Sequence, residues 1–375
     1  MASVFSMVEC FSEIEDPRCD HTKQHLLLDI ICLSVLAVIA GAEGWEDIEQ
    51  FGKDKRDWLK KYLKLPNGVP SHDTISRVFR ALKPEAFQEA FRNWVTSLHE
   101  QVGLKLVAVD GKTLRRSHDR RTMKSALHSV CAWSVENHVV LGQQSVDDKS
   151  NEITAIPELL RMLELKGAII SIDAMGCQKQ IAKQIIDAGG DYVLAVKDNH
   201  PTLHAAIDEH FVRYHEGQSV GVTVRQFSTE EKAHGRIDRR YYYISDVPES
   251  LAFAKSEWSG LRSIGEVLTI SERDGKETCD VRHFILSLEP KVRRFARVQR
   301  GHWGIENSLH WVLDVTFNED QSRIRKDNGP DNFGLLRRFA VTLIKQDSSP
   351  GSIRRKRKRA AWNNEALAKI AQLTT

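Results

Sequence analysis

Two short apolar runs decide the fold: Leu-Val-Ala-Val-Asp at 106–110 and Ile-Ile-Ser-Ile-Asp at 169–173. Each run has the length of a buried strand, and such runs are typical of strands covered by helices on both faces of a sheet. Each also ends in an aspartate. An ionised carboxylate at a buried strand end costs free energy unless a partner or a metal neutralises it. Asp110 and Asp173 are therefore the first candidate functional residues, with turn-forming aspartates as the alternative.

The surrounding pattern alternates short strands with helices. Strands are predicted at 104–109, 126–135, 139–146, 168–172 and 192–196, and helices at 154–165 and 178–188. The second and third strands form a hairpin, and the helices are crossover connections. This order predicts an α/β fold with a mixed sheet and flanking helices. If the strands that end in Asp110 and Asp173 are neighbours, both carboxylates emerge at one edge of the sheet, where ligands of open α/β sheets gather.

The chain divides into three predicted parts. Residues 1–102 have helical periodicity throughout and predict an all-α N-terminal domain. Residues 103–346 contain the mixed sheet, with a polar, β-rich insertion at about 210–289 and helices after it. Residues 347–375 carry six successive cations at 354–359 and predict a mobile basic arm with a short helix.

One predicted helix of the N-terminal domain has a basic outer face. Ser71 is placed to cap it, and Ile75, Val78, Phe79 and Leu82 form its buried face. Arg77 and Arg80 then lie on the outside. A capped helix with outward cations is a candidate for recognition of a DNA groove, and an ordinary solvated helix face is the alternative.

Composition leaves the question of nucleic-acid binding to local patterns. The 375 residues are enough for two or three domains, and 54 Lys+Arg against 51 Asp+Glu give a formal net charge of only +3. The six cysteines show no CxxC or Cys/His spacing, which argues against a zinc site and a disulfide framework and favours reduced thiols. The apolar run 26–42 contains Asp29 and falls short of the ~20 residues of a membrane span. We expect a buried helix there, no membrane association, no signal peptide and a cytoplasmic location.

A third carboxylate is expected on the helix that follows Arg300. Glu306 lies at the border of the packing stripe formed by Ile305, Leu309, Val312 and Leu313, which predicts a position near the sheet rather than far out in water. Asp314 lies close to the same face and is the main rival.

Three carboxylates without a nearby set of Cys or His ligands suit Mg²⁺ or Mn²⁺. Asp110, Asp173 and Glu306 would hold two ions per site, one lowering the pKa of an attacking water or DNA 3′-hydroxyl and one stabilising the leaving oxygen. This chemistry requires no protein nucleophile. The sequence accordingly has neither a Gly-x-Ser-x-Gly motif nor a phosphate-binding P-loop.

Basic and aromatic residues stand close to these acids in the sequence, where they are candidates for DNA phosphate contacts. Any one of them alone is more often solvated, but their concentration around three candidate metal ligands favours a DNA surface. They are Lys112, Arg115, Arg116, Arg120, Arg121, Lys197, Arg300, His302 and Trp303.

Several segments together resemble the H-repeat-associated proteins, a family of bacterial insertion-sequence transposases in the wider DDE group. The resemblance covers nearly the whole chain. Its motifs are Asp-Pro-Arg at 16–18, Pro-Ser-His-Asp-Thr-Ile-Ser-Arg-Val-Phe at 70–79, Val-Asp-Gly-Lys-Thr at 109–113, Lys-Ser-Asn-Glu-Ile at 149–153, Asp-Ala-Met-Gly at 173–176, Lys-Asp-Asn-His-Pro at 197–201, His-Gly-Arg at 234–236 and Arg-Gly-His-Trp-Gly-Ile-Glu-Asn-Ser-Leu-His-Trp at 300–311. The resemblance implies an RNase H-like catalytic domain, an associated helical N-terminal domain and action on terminal inverted repeats. It also carries the catalytic triad over to Asp110, Asp173 and Glu306.

The chain departs from the wider group's signature along its last catalytic helix, where Tyr, Arg, Glu and Lys recur. Gln299 stands at the Tyr position, His302 at the Arg position and Leu313 at the Lys position. The glutamate is kept, whereas the DNA-end contacts that the signature assigns around it do not carry over directly.

Three functions remain open at this point. The leading hypothesis is a transposase that cuts and rejoins double-stranded DNA, with a homodimer in the active complex because two element ends need two active sites. The second is a metal-dependent nuclease or junction resolvase of the same fold. The third is a DNA-binding relative of a transposase that no longer catalyses.

Overall fold

The computed structural model describes residues 7–99, 105–118, 126–146, 152–233 and 235–373. The helices in this part of the chain are α1 Met7–Ser12, α2 Leu27–Ala40, α3 Trp45–Asp54, α4 Arg56–Leu59, α5 His72–Ala81, α6 Pro84–His99, α7 Glu152–Arg161, α8 Lys179–Asp187, α9 Pro201–His215, α10 Ala252–Glu257, α11 Val292–Ile305, α12 Trp311–Val315, α13 Gly329–Gln346, α14 Ile353–Trp362 and α15 Asn364–Ile370. The strands are β1 Leu106–Thr113, β2 His128–Ser134, β3 Val139–Val146, β4 Ile169–Ile172, β5 Asp191–Val196, β6 Arg225–Ala233, β7 Arg236–Asp246, β8 Ser263–Arg273 and β9 Lys276–Leu286.

The chain forms two compact units, and both are discontinuous in sequence. The first unit comprises Met1–Gly103, Gly111–Asn151 and Glu306–Thr375. The second comprises Leu104–Asp110 and Glu152–Ile305. The predicted boundary at 102/103 lies outside the described residues.

A mixed sheet forms the second unit. Strands β1, β4 and β5 run parallel, β9 pairs antiparallel with β5, and β8, β7 and β6 continue the sheet by antiparallel pairing. The parallel strands are short, and most of their residues are buried. Parallel strands joined by helices are covered on both faces of the sheet, which explains this burial. We call β6–β9 the outer ribbon, since these strands are long and carry exposed charges, most of them on β6 and β9.

Helices cover the sheet of the second unit. Helix α8 contacts β5, α9 contacts β9, and α11 contacts β4, β6 and β7. The buried residues of α8, Ile181, Ala182 and Ile185, follow the three- and four-residue spacing of an amphipathic helix. This spacing is the reason why one face of α8 is available to cover the sheet.

The first unit is built around α2. Ten of its central residues from Ile30 to Ile39 are buried, and α2 contacts α1, α3, α13, α14 and α15. Its one acidic residue, Asp29, accepts backbone hydrogen bonds from Lys64 (3.2 Å) and Leu65 (2.7 Å), so the buried carboxylate has partners. The β2–β3 hairpin completes this unit, with α6 and α13 contacting β3.

Helix α2 is the buried helix that the sequence predicts. Among the described residues no single helix has both the length and the apolar character of a membrane span, and the pair α2 and α3, bent by 93°, meets those criteria only when taken together.

The predicted α/β class with an RNase H-like mixed sheet is confirmed, including the β-β-β-α-β-α-β order from β1 to β5. Helix α9 is not predicted by the sequence pattern, and it overlaps the start of the predicted β-rich insertion at about 210–289, whose first strand, β6, begins at Arg225. The prediction of a mobile arm at 354–359 is wrong, because these residues belong to α14, whose Lys356 and Arg357 are buried.

Candidate catalytic site

Asp110 and Asp173 lie side by side in the second unit. In the parallel pair of β1 and β4, Val109 is the register partner of Ile172. Each aspartate follows its partnered residue by one position, and neighbouring strands of a sheet are about 4.8 Å apart. Both aspartates are partly buried. The sheet therefore brings two carboxylates, 63 residues apart in the sequence, to neighbouring positions; Asp173 directly follows β4 as predicted, whereas Asp110 lies inside β1, which continues to Thr113.

The turn after β4 holds Asp173 in place. Its Oδ1 accepts a hydrogen bond of 3.3 Å from the backbone N–H of Gly176. A Cβ atom at position 176 would lie 2.7 Å from Cδ1 of Ile156 and closer still to Ile172, so only glycine fits there. The Asp-Ala-Met-Gly motif thus combines a carboxylate with the one residue that lets its turn pack against β4.

The loop after β5 supports the same turn. Asn199 donates a 2.7 Å hydrogen bond to the carbonyl oxygen of Ala174, and Nε2 of His200 donates to the carbonyl oxygen of Cys177 at 2.6 Å. The Lys-Asp-Asn-His-Pro motif therefore joins the loops after β4 and β5. Lys197, the first residue of this motif, is exposed.

The electrostatic environment of Asp173 disfavours its charged form. Burial raises the pKa of Asp173 above its ordinary value, and the negative charge of Glu152 raises the pKa further. Lys197 lowers this pKa without cancelling the increase. A cation bound at the carboxylate would offset the same cost, so the site's donors are of the kind that bind a hard divalent ion.

Helix α11 is joined to β4 by a side-chain hydrogen bond. Nδ1 of His302 lies 3.0 Å from Oγ of Ser171, two residues before Asp173. Burial lowers the pKa of His302 to about 4, so its imidazole is neutral at pH 7. Two other residues predicted to contact DNA are on this helix: Arg300 forms a 2.8 Å ion pair with Glu231, and the guanidinium of Arg282 lies 4.7 Å from the ring centroid of Trp303.

Glu306 is in the first unit and is exposed. The sequence pattern assumes one regular helix through this region and therefore predicts partial shelter for Glu306. The chain instead forms a π-helical turn over Glu306–His310 between α11 and α12. Because a π turn winds more residues per turn than an α-helix, the predicted phase does not apply, and Glu306 is exposed. In the described residues no three His, Cys, Asp or Glu side chains form a cluster suited to a metal ion.

The first unit holds the other predicted residues that follow Asp110. Nζ of Lys112 is buried and lies 2.5 Å from Oδ1 of Asp314 and 3.7 Å from Oδ1 of Asp320. Arg115, with 82% of its side chain exposed, lies 3.3 Å from Asp320. Lys112 is thus a buried ion-pair partner of Asp314, the rival to Glu306. Arg120 and Arg121 lie outside the described residues.

Helix α5 has the cap and the buried face that its sequence predicts. Oγ of Ser71 accepts the backbone N–H of Thr74 at 3.3 Å, and Ile75, Val78 and Phe79 are buried. Arg77 is exposed, while Arg80 pairs with Asp327 at 2.7 Å.

Three residues near Asp173 were not identified as site residues from the sequence alone. Glu152 acts on Asp173 through its charge, whereas Asn199 and His200 hold the turn that carries it. All three stand in quoted motifs, Lys-Ser-Asn-Glu-Ile and Lys-Asp-Asn-His-Pro. These motifs are the sequence signal that could have identified the three residues, whereas their contacts with the Asp173 turn are visible only in the folded structure.

Comparison with known proteins gives a consistent family. A model described as "Transposase DDE domain" matches residues 102–344, and one described as "DDE_Tnp_1-associated" matches residues 8–95. The chain is 42% identical to "Putative transposase YncI" of Escherichia coli O157:H7, covering 99% of this chain and 96% of that protein. It is 41% identical to "H repeat-associated putative transposase YhhI" of Escherichia coli (strain K12), covering 97% of each.

Among solved structures, a cryo-EM structure of the piggyBac transposase synaptic complex with hairpin DNA aligns with 97% of this chain and 76% of that one, at 10% identity and a TM-score of 0.39. This likeness is too distant to support an argument. The family models and the full-length relatives show that the chain belongs to the H-repeat-associated transposases of the DDE group.

Proposed function

We propose that this transposase cleaves double-stranded DNA at terminal inverted repeats and joins the freed ends to a target, acting in the cytoplasm as a homodimer. The observation that carries the proposal is the register of β1 and β4, which sets Asp110 beside Asp173. Paired carboxylates at neighbouring positions of adjacent strands are suited to holding divalent ions around a phosphate. Membership of the family supports DNA as the substrate, and the pair of carboxylates supports a metal-dependent reaction.

Asp110, Asp173 and Glu306 would hold two Mg²⁺ or Mn²⁺ ions. When bound, the ions activate the attacking oxygen and stabilise the leaving oxygen of an in-line displacement at phosphorus. The raised pKa of Asp173 supports its assignment as a ligand. The assignment of Glu306 is supported by the family motif at 300–311, in which this glutamate is kept.

The surrounding side chains would position the DNA. Lys197 is exposed and lies within electrostatic reach of Asp173, so it is suited to contact a phosphate beside the reacting one. His302 is neutral and would act by hydrogen bonding rather than by charge. The proposed set of DNA contacts is Lys112, Arg115, Lys197, Arg300, His302, Trp303, Arg77 and Arg80.

The test uses the full-length chain and a plasmid carrying the element ends that flank its gene. With Mg²⁺ or Mn²⁺, the wild type should cut at the ends, whereas Asp110→Asn and Asp173→Asn should each reduce cutting by roughly a thousandfold or more and keep duplex binding. EDTA should stop cutting by the wild type. A matched control is Asp246→Asn, because Asp246 ends β7 in the outer ribbon and should be dispensable. Cutting by either triad variant at the wild-type rate would refute the proposal.

Glu306 needs a separate test because its rival is in the same unit. Glu306→Gln should lose cleavage as completely as Asp173→Asn does. Asp314→Asn should keep metal-dependent cleavage, because Lys112 already holds the Asp314 carboxylate. The reverse result would transfer the role to Asp314. Joining of cut ends to a target plasmid, measured in the same reactions, distinguishes a transposase from a nuclease that only hydrolyses DNA.

A DNA-binding protein without catalysis is the second candidate. It is favoured by the absence, among the described residues, of a three-residue cluster suited to a metal ion. This candidate predicts that purified protein binds duplex DNA but does not cut it in the presence of either Mg²⁺ or Mn²⁺, and that Asp110→Asn leaves DNA binding unchanged.

A further inference from the structure

Helix α14 is fixed to the first unit by two of its own cations. Arg357 donates to the carbonyl oxygens of Val38, at 3.0 Å, and Thr316, and its guanidinium lies 4.0 Å from the ring centroid of Phe317. Lys356 donates to the carbonyl oxygens of Ile344 and Asp347. The helix is therefore held in one orientation, and its outer face is a defined surface.

That outer face carries four cations and a tryptophan. At about 100° per residue, these side chains fall within an arc of about 140° and span about 12 Å along the helix. Trp362 lies in the middle of the arc and is 79% exposed. We call this set the α14 face; its members are Arg354, Arg355, Lys358, Arg359 and Trp362.

The cations of the α14 face have no ion-pair partner in the part of the chain that the structure describes. Several cations predicted from the sequence to bind DNA are already paired with carboxylates, as Lys112 is with Asp314 and Arg300 is with Glu231. A cluster of four unpaired charges repels itself unless an anion covers it. The α14 face thus has the charge of a binding surface without an internal acid.

We propose that the α14 face binds the phosphate backbone of duplex DNA, with Trp362 as an apolar contact at the minor-groove edge. The inference rests on the proposed function, which makes duplex DNA the substrate. Cations spread over about one and a half helical turns can contact neighbouring phosphates, and architectural DNA-binding proteins place apolar side chains beside such cations.

The basic character continues beyond the helix. Asn364, two residues after Trp362, accepts a 2.7 Å hydrogen bond from Nζ of Lys55. The two residues line a cavity of about 460 Å³ together with Lys53, Asp54, Arg56, Asp57, Trp58 and Lys61. Four of these eight residues are cationic and two are acidic, so a DNA strand on the α14 face would next meet a surface of net positive charge.

An anionic membrane surface is the competing partner for a basic helix that bears a tryptophan. Membrane-surface helices insert an apolar face, whereas the inward side of α14 is already used by its contacts with α2, α13 and α15. Trp362 alone offers little apolar area for insertion. Duplex DNA is therefore the better fit.

The experiment measures binding of the full-length chain to a fluorescent duplex by anisotropy at several salt concentrations, without divalent ions. The variant R354Q/R355Q/K358Q/R359Q should bind roughly 10- to 100-fold more weakly at ~0.1 M salt, with a salt slope shallower by about three to four. The charge-keeping variant R354K/R355K/R359K is the matched control and should stay within about threefold of the wild type. An unchanged Kd and slope in the Gln variant would overturn the proposal.

Trp362 gives a second measurement that does not depend on four substitutions folding correctly. Trp362→Ala should weaken duplex binding severalfold, and Trp362→Phe should restore most of it. Equal affinity of wild type and Trp362→Ala would remove Trp362 from the surface. If the Gln variant loses binding to phosphatidylserine vesicles or to single-stranded DNA but not to the duplex, the assigned partner is wrong.

Failure here is distinguishable from failure of the proposed function. If Asp110→Asn abolishes metal-dependent cutting while the α14 variants bind duplex normally, the catalytic proposal stands and this one falls. If the wild type does not cut DNA but the α14 variants lose duplex binding, the catalytic proposal falls and the proposal for the α14 face stands.

Discussion

Acidic side chains have opposite environments in the centre of the sheet and in the outer ribbon. Carboxylates in the outer ribbon are matched with arginine: Arg239 lies 3.2 Å from Glu230 and from Glu272, and Asp238 receives both Arg236 and Arg240. Asp173, at the end of a central strand, has no ion pair within the described residues and lies near a second negative charge, Glu152. A carboxylate that forms ion pairs within the protein has a structural role. A carboxylate whose charge is unfavourable in the folded protein is a candidate for binding an external cation.

The largest effect tests how tightly the Asp173 turn is packed. Gly176→Ala should destabilise the protein by about 3 kcal/mol, because the new methyl group would overlap Ile172 and lie 2.7 Å from Cδ1 of Ile156. The ribbon counterpart is Gly275→Ala, which meets no atom within 4 Å and loses about 1 kcal/mol through its φ of +73°. Urea denaturation gives both values. Equal losses would mean that the central turn is no more constrained than a ribbon turn.

The next effect concerns a ribbon acid that has partners. Burial alone would raise the pKa of Asp238, but Ser271, Arg240 and Arg236 outweigh it and hold this pKa below its ordinary value. Asp238 is 5% exposed, and Asp238→Asn should cost about 2 kcal/mol at pH 7 by leaving two arginines without their shared carboxylate. The contribution is complete above the unfolded pKa of about 3.9 and disappears as the pH falls through the lower folded pKa. The urea midpoints of wild type and Asp238→Asn at pH 7 and pH 3 measure this contribution. Equal midpoints of the two proteins at both pH values would show that the pairing of Asp238 with Arg236 and Arg240 does not stabilise the fold.

Asp173 should respond with the opposite sign. Because its folded pKa is raised, its charge opposes folding above that pKa, and this penalty disappears as the pH falls through it. Without divalent ions at pH 7, Asp173→Asn should therefore stabilise the protein by about 1 kcal/mol, since Asn can keep the hydrogen bond from Gly176. Added Mg²⁺ should reverse the order by stabilising the wild type alone. A metal-free loss of stability in Asp173→Asn would remove the contrast between the two regions.

The smallest effect lies on the exposed surface of the outer ribbon. Arg239→Gln removes contacts to Glu230, Glu272 and Glu277, yet solvent and side-chain entropy leave such surface networks with little net free energy. We expect no change in the urea midpoint beyond experimental error at moderate salt. A clear loss would show that the charges of the outer ribbon stabilise it more than surface pairs usually do.

Local pattern was sufficient for the sheet centre. Strands β1 and β4 and the α8 crossover follow from apolar runs and helical spacing, although β1 extends past the predicted end to Thr113. Helix α9 was missed although Leu203, Ile207 and Phe211 form a buried stripe, because the polar His210 shares that face. His210 is accommodated by Ser245, 3.1 Å away on β7, and no local pattern announces a partner 35 residues distant.

The sequence predicts candidate site residues but not their arrangement. Motifs predict Asp110, Asp173 and Glu306 as the site, whereas the π turn at Glu306–His310 does not follow from the helical spacing. The basic run at 354–359 illustrates the same limit. Charge density predicts full solvation, whereas carbonyl oxygens from three distant segments, at Val38, Thr316 and Ile344, make burial of Lys356 and Arg357 possible.

The attachment of α14 to α2 has a consequence for biosynthesis. The apolar helix that begins at Leu27 leaves the ribosome hundreds of residues before the helix that begins at Ile353, against which it packs. Until α14 has been synthesised, part of α2 has no permanent cover, and nascent chains must be shielded from aggregation in the meantime. A stop codon before Ile353 would remove α14, so we expect the truncated chain to be degraded and not to accumulate as a shorter DNA-binding protein.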